Sequence, residues 1–343
     1  MRRGLRFEGV AVAGIGMIRF GMMKDRPAVH LARDAGLLAL HDAGMTLADI
    51  DEAFVAYITP GSMLGVKAMK ELGLTGLPVN HTENASATGL VAFRDAAWAV
   101  ASGRADVAMA IGFDKFTDMV GGGGGGSARD RIDAPILPAA YFALWAQRRM
   151  HERGTAVETF ARIAAKNWNC GAACPTAHRQ TDHVVTAEEV LASALQSESY
   201  SRGHTFVGPV VGPSTMTSDT ARECYEAAGI GPEDVSVAYC HDAFVNEELE
   251  YYELLGFCPA GDGDKLVADG ETGPGGRIPF NTDGGLIARG HPGGPTGLAQ
   301  IHEAVQQLRG DATGRQVEGA RVALAHLVGG GSVCTVNLLD AVD

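Results

Sequence analysis

The strongest constraint on the fold is an internal repeat. Residues 42–55 (DAGMTLADIDEAFV) recur in kind at 227–240 (AAGIGPEDVSVAYC): a helix end, a glycine stop, a short capped turn and a strand. A second pair follows in the same order. Ala87-Thr88-Gly89-Leu90 opens a helix that feeds an apolar strand, and Pro295-Thr296-Gly297-Leu298 opens another that ends in residues 321–328 (RVALAHLV). Two halves with one element order imply a duplicated unit packed about a pseudo-twofold axis. Loops from both halves should then converge on a site between them.

The elements around the repeat are those of an α/β protein with a mostly parallel sheet. Residues 7–16 (FEGVAVAGIG) and 50–58 (IDEAFVAYI) read as strands, and 105–112 (ADVAMAIG) reads as a strand buried on both faces. Helices are expected from about 28 to 44 and from 88 to 103. At 46% hydrophobic residues the chain can bury a large core, while 6% aromatics with 46 glycines favour close helix–sheet packing over an aromatic-cored sandwich. Between the halves the character changes. Gly121 to Gly126 are six consecutive glycines and read as a mobile loop, and 136–193 is helical in pattern, an excursion from the sheet. The expected division is a first half over 1–120 plus part of 185–215, an inserted region over 121–190, and a second half over 215–343.

A net charge of −13 argues against nucleic acid as a partner, though a CoA-type ligand needs only a local basic patch. Neither a signal peptide nor a transmembrane span is visible, and six scattered cysteines suggest no disulfide framework, so a cytoplasmic location is expected. Cys170 and Cys174 have C-x3-C spacing, with His178 beyond them. A zinc site would need a fourth ligand, for which His183 is the only nearby residue, so ordinary helix cysteines and no metal are expected.

Several motifs, in order along nearly the whole chain, carry a specific resemblance. They are Glu83-Asn84-Ala85-Ser86-Ala87-Thr88-Gly89, His241-Asp242-Ala243-Phe244, Asn281-Thr282-Asp283-Gly284-Gly285 running into Gly290-His291-Pro292, and Gly329-Gly330-Gly331. Together they resemble the thiolase superfamily, in its sterol-carrier and lipid-transfer branch. The resemblance implies a layered α-β-α-β-α core with an inserted helical loop region, and a CoA thioester as substrate without a further cofactor. It also implies that Ser86 occupies the nucleophile position, where the family has cysteine. His241 and His291 would polarise or protonate the thioester oxygen. The backbone N–H groups of Ser86 and Gly329 would form an oxyanion pocket, and Asn281, Gly284 and Gly285 would lie on the substrate loop.

Two departures bear on mechanism. A helix N-terminus lowers a thiol's pKa but does little for a hydroxyl, so Ser86 needs a paired base to act as a nucleophile. The family's second thiol, an acid/base, is also missing: Ala243 stands at its position in the His-Asp-Cys-Phe motif, and Leu327 at the alternative one before the glycine triplet. Cys240 and Cys334 read as core residues. A third departure concerns length. Where relatives carry a strand and a small-residue run, this chain passes from Leu191-Ala192-Ser193 to Ser199-Tyr200-Ser201-Arg202. Either a stretch is absent from this chain or the half is built differently.

Three readings follow, in order. The first is a lyase that cleaves a β-hydroxyacyl-CoA by a retro-aldol step, which needs a base and an oxyanion pocket but no nucleophile. Thiolase-like aldolases acting on steroid side chains belong to this branch; they carry a tyrosine near the position of His241, and Tyr239 is the nearest here, either a substitute base or a core residue. The second is an acyltransferase using Ser86, and the third a non-catalytic binding or scaffold subunit. The resemblance further implies a homodimer and, for the aldolase reading, a small OB-fold partner.

Overall fold

The repeat is visible residue by residue in a computed structural model of the chain. It describes residues 6–115 apart from 60, 74 and 75, residues 138–186 apart from 182 and 183, and residues 215–341 apart from 332. Helix α1 (Ala28–Ala43) stops at Gly44, whose φ of 66° suits a residue without a Cβ. A 3₁₀ turn follows, closed by Asp49 Oδ2 accepting the Thr46 N–H at 2.7 Å, and leads into β1 (Glu52–Ala56). The second half repeats each step. Helix α6 (Met216–Ala228) stops at Gly229 with φ 74°, Asp234 Oδ2 accepts the Gly231 N–H at 2.8 Å, and β4 (Val237–Tyr239) begins.

Among the described residues, each half carries a three-stranded sheet. In the first, β1 lies between β2 (Val79–Thr82) and β3 (Ala108–Gly112), parallel to both. In the second, β5 (Val322–Gly329) is parallel to β4 and antiparallel to β6 (Val333–Asp340). Between the sheets run α3 (Thr88–Ala101) and α10 (Gly293–Arg309). Their backbones touch at the glycines of the repeated motif. A Cβ on Gly89 would lie 2.7 Å from Gly294 O and 2.8 Å from Leu298 N, and one on Gly297 would collide with Leu90 N. Ala87, Leu90, Leu286, Ile301, Val305, Ala325 and Leu327 form the apolar cluster around this crossing. Because the helices cross near their starts, both N-termini open at one place.

Residues 7–16 do not form the expected strand. Their alternation supplies faces, but a strand needs a partner ladder, and among the described residues none pairs with the second edge of β3. The segment lies instead on α1, where Ile15 N–H reaches Asp42 Oδ2 at 2.9 Å, and Arg309 donates to Ala13 O at 3.2 Å. The helical excursion is present as α4 (Pro138–Arg153) and α5 (Val157–Ala173). It braces the second half: buried Arg149 pairs with Glu250 at 3.1 Å, Glu253 at 2.5 Å and Asp264 at 3.1 Å on α7 (Val245–Leu254) and α8 (Gly263–Ala268). The glycine run 121–126, His183 and the junction at 193–200 lie outside the described residues. Within them, no helix is long and apolar enough to cross a membrane.

Candidate active site

The loop before α3 is a tight, self-bonded turn. Ala85 adopts φ 48°, a left-handed conformation costing on the order of 1 kcal/mol for a residue with a Cβ. Thr88 holds it there: its hydroxyl donates to Ala85 O at 2.5 Å and accepts the Asn84 N–H at 2.8 Å. Ser86 is thereby placed at the tip, with its Oγ 3.0 Å from His291 Nε2.

The bonding around His291 fixes its tautomer. Thr296, the repeat mate of Thr88, donates its only hydroxyl proton to Pro292 O, so its oxygen must accept from His291 Nδ1–H, 2.9 Å away. His291 Nε2 then carries the lone pair, and the Ser86 hydroxyl donates to it. Burial, with His241 and Arg289 nearby, pushes the imidazole pKa down to about 3, so the ring is neutral at ordinary pH.

His241 comes from the end of β4, buried at 6% exposure, its ring edge-on to His291 with centroids 5.3 Å apart. Its Nδ1 faces Glu247 Oε1 at 2.8 Å, while Glu247 Oε2 accepts the Phe244 N–H at 3.0 Å, which anchors the carboxylate to the first turn of α7. A carboxylate can only accept, so Nδ1 is the protonated nitrogen. His241 Nε2 is buried and has no partner among the described residues. In the neutral ring the lone pair is on Nε2, and the site then presents it beside the Ser86–His291 pair.

Gly329 ends β5 against the Ser86 loop: a Cβ there would collide with Asn84 O. Gly329→Ala should therefore lower stability by about 1–3 kcal/mol, the usual cost of overpacking. Chemical denaturation checks it, and a change within about 0.5 kcal/mol would mean that the loop yields.

Both thiol positions are apolar. Ala243 packs at the edge of the cluster containing Leu327. Cys240 is fully buried, its thiol pushed well up by burial and then by Glu248 and Asp242, and burial likewise raises Cys334. Neither is an activated thiol. Burial also raises Cys170 to about 11, which disfavours the thiolate that a metal would need.

A family description, "Thiolase C-terminal domain-like", matches residues 205–338. Sterol carrier protein 2 of Rattus norvegicus is 34% identical over 397 aligned positions, covering 97% of this chain and 72% of the relative. Acetyl-CoA acetyltransferase of Methanothermobacter thermautotrophicus is 32% identical over 385 positions, covering 96% of this chain and 99% of the relative. This chain belongs to the thiolase family. A solved structure, an Ltp2-ChsH2(DUF35) aldolase, shares the thiolase fold with it at a TM-score of 0.82 and 24% identity, covering 96% of this chain and 97% of the other. The alignment to the rat protein is longer than the 343-residue chain, so this thiolase-like protein lacks segments that the relative has.

The thiolase motifs do not all sit where the sequence suggests. Tyr239 is a core residue. It is fully buried with Val237, Ala304 and Ala323, and its hydroxyl is 2.9 Å from Thr282 Oγ1. Burial, then Glu303 and Asp283, raise its pKa well above the phenol range, so it is no substitute base. β4 ends at Tyr239, and His241 follows beyond it. Asn281, Gly284 and Gly285 shape their loop. Asn281 (φ 51°) accepts the Cys240 N–H at 3.0 Å and donates to Glu248 at 2.9 Å. A Cβ on Gly284 would lie 2.6 Å from Gly171 Cα, and one on Gly285 would strike the Asp242 carboxyl. Asp242 itself holds Leu286 N–H at 2.7 Å and Asn167 at 2.9 Å. Buried beside Glu248, it has a pKa raised well above the carboxylate range.

Glu247 and Thr296 are the contributors that motif reading missed. Both left a trace: Glu247 lies three residues after the helix-capping Phe244, at a capping-box spacing, and Thr296 is the repeat mate of Thr88.

Proposed function

We propose that this thiolase-like protein cleaves a carbon–carbon bond of a β-hydroxyacyl-CoA by a retro-aldol step, with no covalent intermediate. The observation that carries the reading is His241: one nitrogen donates to Glu247, and the other is buried without a partner among the described residues, beside the His291 ring that meets Ser86. His241 Nε2 takes the proton of the β-hydroxyl. As the β-carbonyl forms, the Cα–Cβ bond breaks and its electron pair enters the thioester as an enolate. The Ser86 and Gly329 N–H groups receive the enolate oxygen. The proton on His241 then returns to the α-carbon, so an acyl-CoA two or three carbons long and a ketone or aldehyde leave. The aldolase named among the similar structures supports this reading, and its joined Ltp2 and ChsH2(DUF35) names support a small partner protein. A homodimer belongs to the same proposal.

The Ser86–His291 contact favours a second reading, acyl transfer through Ser86. His291 is a poor base for it, because burial depresses its pKa to about 3. One experiment separates the two. Incubated with a β-hydroxyacyl-CoA, with and without a co-encoded partner, the protein should release acetyl- or propionyl-CoA, and mass spectrometry should find no acyl adduct. An adduct on Ser86 would put the acyltransferase first.

A further inference from the structure

The two halves treat their central helix N-termini differently, and the repeat shows which residue makes the difference. Glu52 on β1 and Val237 on β4 are repeat mates; the first pairs with Ala108 on β3 and the second with Ala323 on β5. The same offset carries Asp114 onto Gly329. Among the helices, Thr88 matches Thr296, so Ser86 matches Gly294. The Ser86–Gly329 pair therefore has a symmetry mate in Gly294 and Asp114, and these two are in contact: Asp114 Oδ2 accepts the Gly294 N–H at 2.5 Å.

Asp114 is buried at 7% exposure, and its carboxylate is filled by donors from both halves. Oδ1 accepts the Thr59 hydroxyl at 2.5 Å, Thr59 N–H at 2.8 Å and Ile58 N–H at 3.1 Å, all just beyond β1. Oδ2 caps α10, where an anion also meets the positive end of the helix dipole. The approach is close, since a Cβ on Gly294 would lie 2.7 Å from Oδ2 and 2.6 Å from Ala56 O. His291 stands three residues before Gly294, and Thr296, which fixes its tautomer, stands two after. The carboxylate thus ties the ends of β1 and β3 to the turn that carries the imidazole.

We propose that Asp114 is a positioning residue for His291. It occupies, as an internal carboxylate, the anion position at the start of α10 whose symmetry mate at Ser86 is left open by Gly329. That the open one receives an enolate oxygen rests on the reaction proposed above. That Asp114 sets His291 does not, and its test uses the ligand-free protein.

Ring ¹⁵N spectra of histidine-labelled protein report the His291 tautomer, and His291→Gln assigns the signals. Asp114→Ala should move the His291 ring signals and lower Tm. Formate, sized for the vacated carboxylate position, should raise Tm by about 2 °C or more above the same concentration of chloride. Asp114→Asn keeps the acceptor toward Thr59 but sets an amide against Gly294 N–H, so it should perturb His291 with a smaller loss of Tm. If either folded variant leaves the His291 signals in place, Asp114 is only a staple and the proposal fails. A formate response no larger than that of chloride overturns the carboxylate position as well. Should Asp114→Ala not fold, the His291 signals of Asp114→Asn decide alone.

Discussion

Replacing His241 by asparagine should reduce cleavage of a β-hydroxyacyl-CoA by ~10² to 10⁴ in kcat/KM, the usual contribution of a positioned general base. Asparagine is chosen because its amide N–H can still donate toward Glu247, whereas phenylalanine would leave the buried Oε1 of that carboxylate without its donor. What it removes is His241 Nε2, which has no partner among the described residues. Glu247→Gln tests the support rather than the base. It keeps an acceptor for Nδ1–H but removes the negative charge beside the ring that forms when Nε2 takes a proton, so it should cost less than His241→Asn. Tm should change little in the asparagine variant, which separates chemistry from folding. A loss below about tenfold in His241→Asn would assign the proton to another group, with His291 the nearest, and the lone-pair argument would fall.

The fold was legible where local chemistry and the repeat agreed. The helix ends at Gly44 and Gly229, the capped turns after them and the strands β1 and β4 follow from turn residues and periodicity that need no distant partner. The convergence of Ser86, His241 and His291 was legible through the repeat, because Gly89 and Gly297 let the two helices cross at their starts. Residues 7–16 were misread because their apolar alternation specifies faces but not a neighbour, and the ladder they would need is absent among the described residues. For Tyr239 the sequence leaves base and core both open, and only the folded chain, which buries its ring and hydroxyl, decides for the core. Asn281, Gly284 and Gly285 sit in a motif near the chemistry, yet their positive φ and close backbone neighbours serve the loop's shape. Motif proximity does not distinguish a residue that touches substrate from one that holds a residue that does. Glu247 and Asp114 make the same point from the other side: both lie outside the core motifs, and each acts through a hydrogen bond that only the folded chain creates.

Restoring the nucleophile alone should give a protein that acylates but turns over slowly. In Ser86→Cys the thiol would sit at the start of α3, beside His291, where the helix terminus favours thiolate. Acylation by an acyl-CoA should then be detectable by mass spectrometry, in contrast to the parent protein. Thiolase turnover needs a second group to move the proton at the departing carbon, and the two positions where a thiol would stand are Ala243 and Leu327, both set in an apolar cluster. His291 cannot readily fill that role while its pKa is held near 3 by burial, since it then gives up any proton it takes. Ser86→Cys with Ala243→Cys should therefore exceed the single variant by ~10² or more in turnover. Ala243 is only half-buried, and the added sulfur is small, so the double variant should fold. Equal turnover in the single and double variants would show that His241 or His291 already moves the proton. The loss of the second thiol would then be incidental, and with it would go the inference from two missing thiols to a reaction that needs no nucleophile.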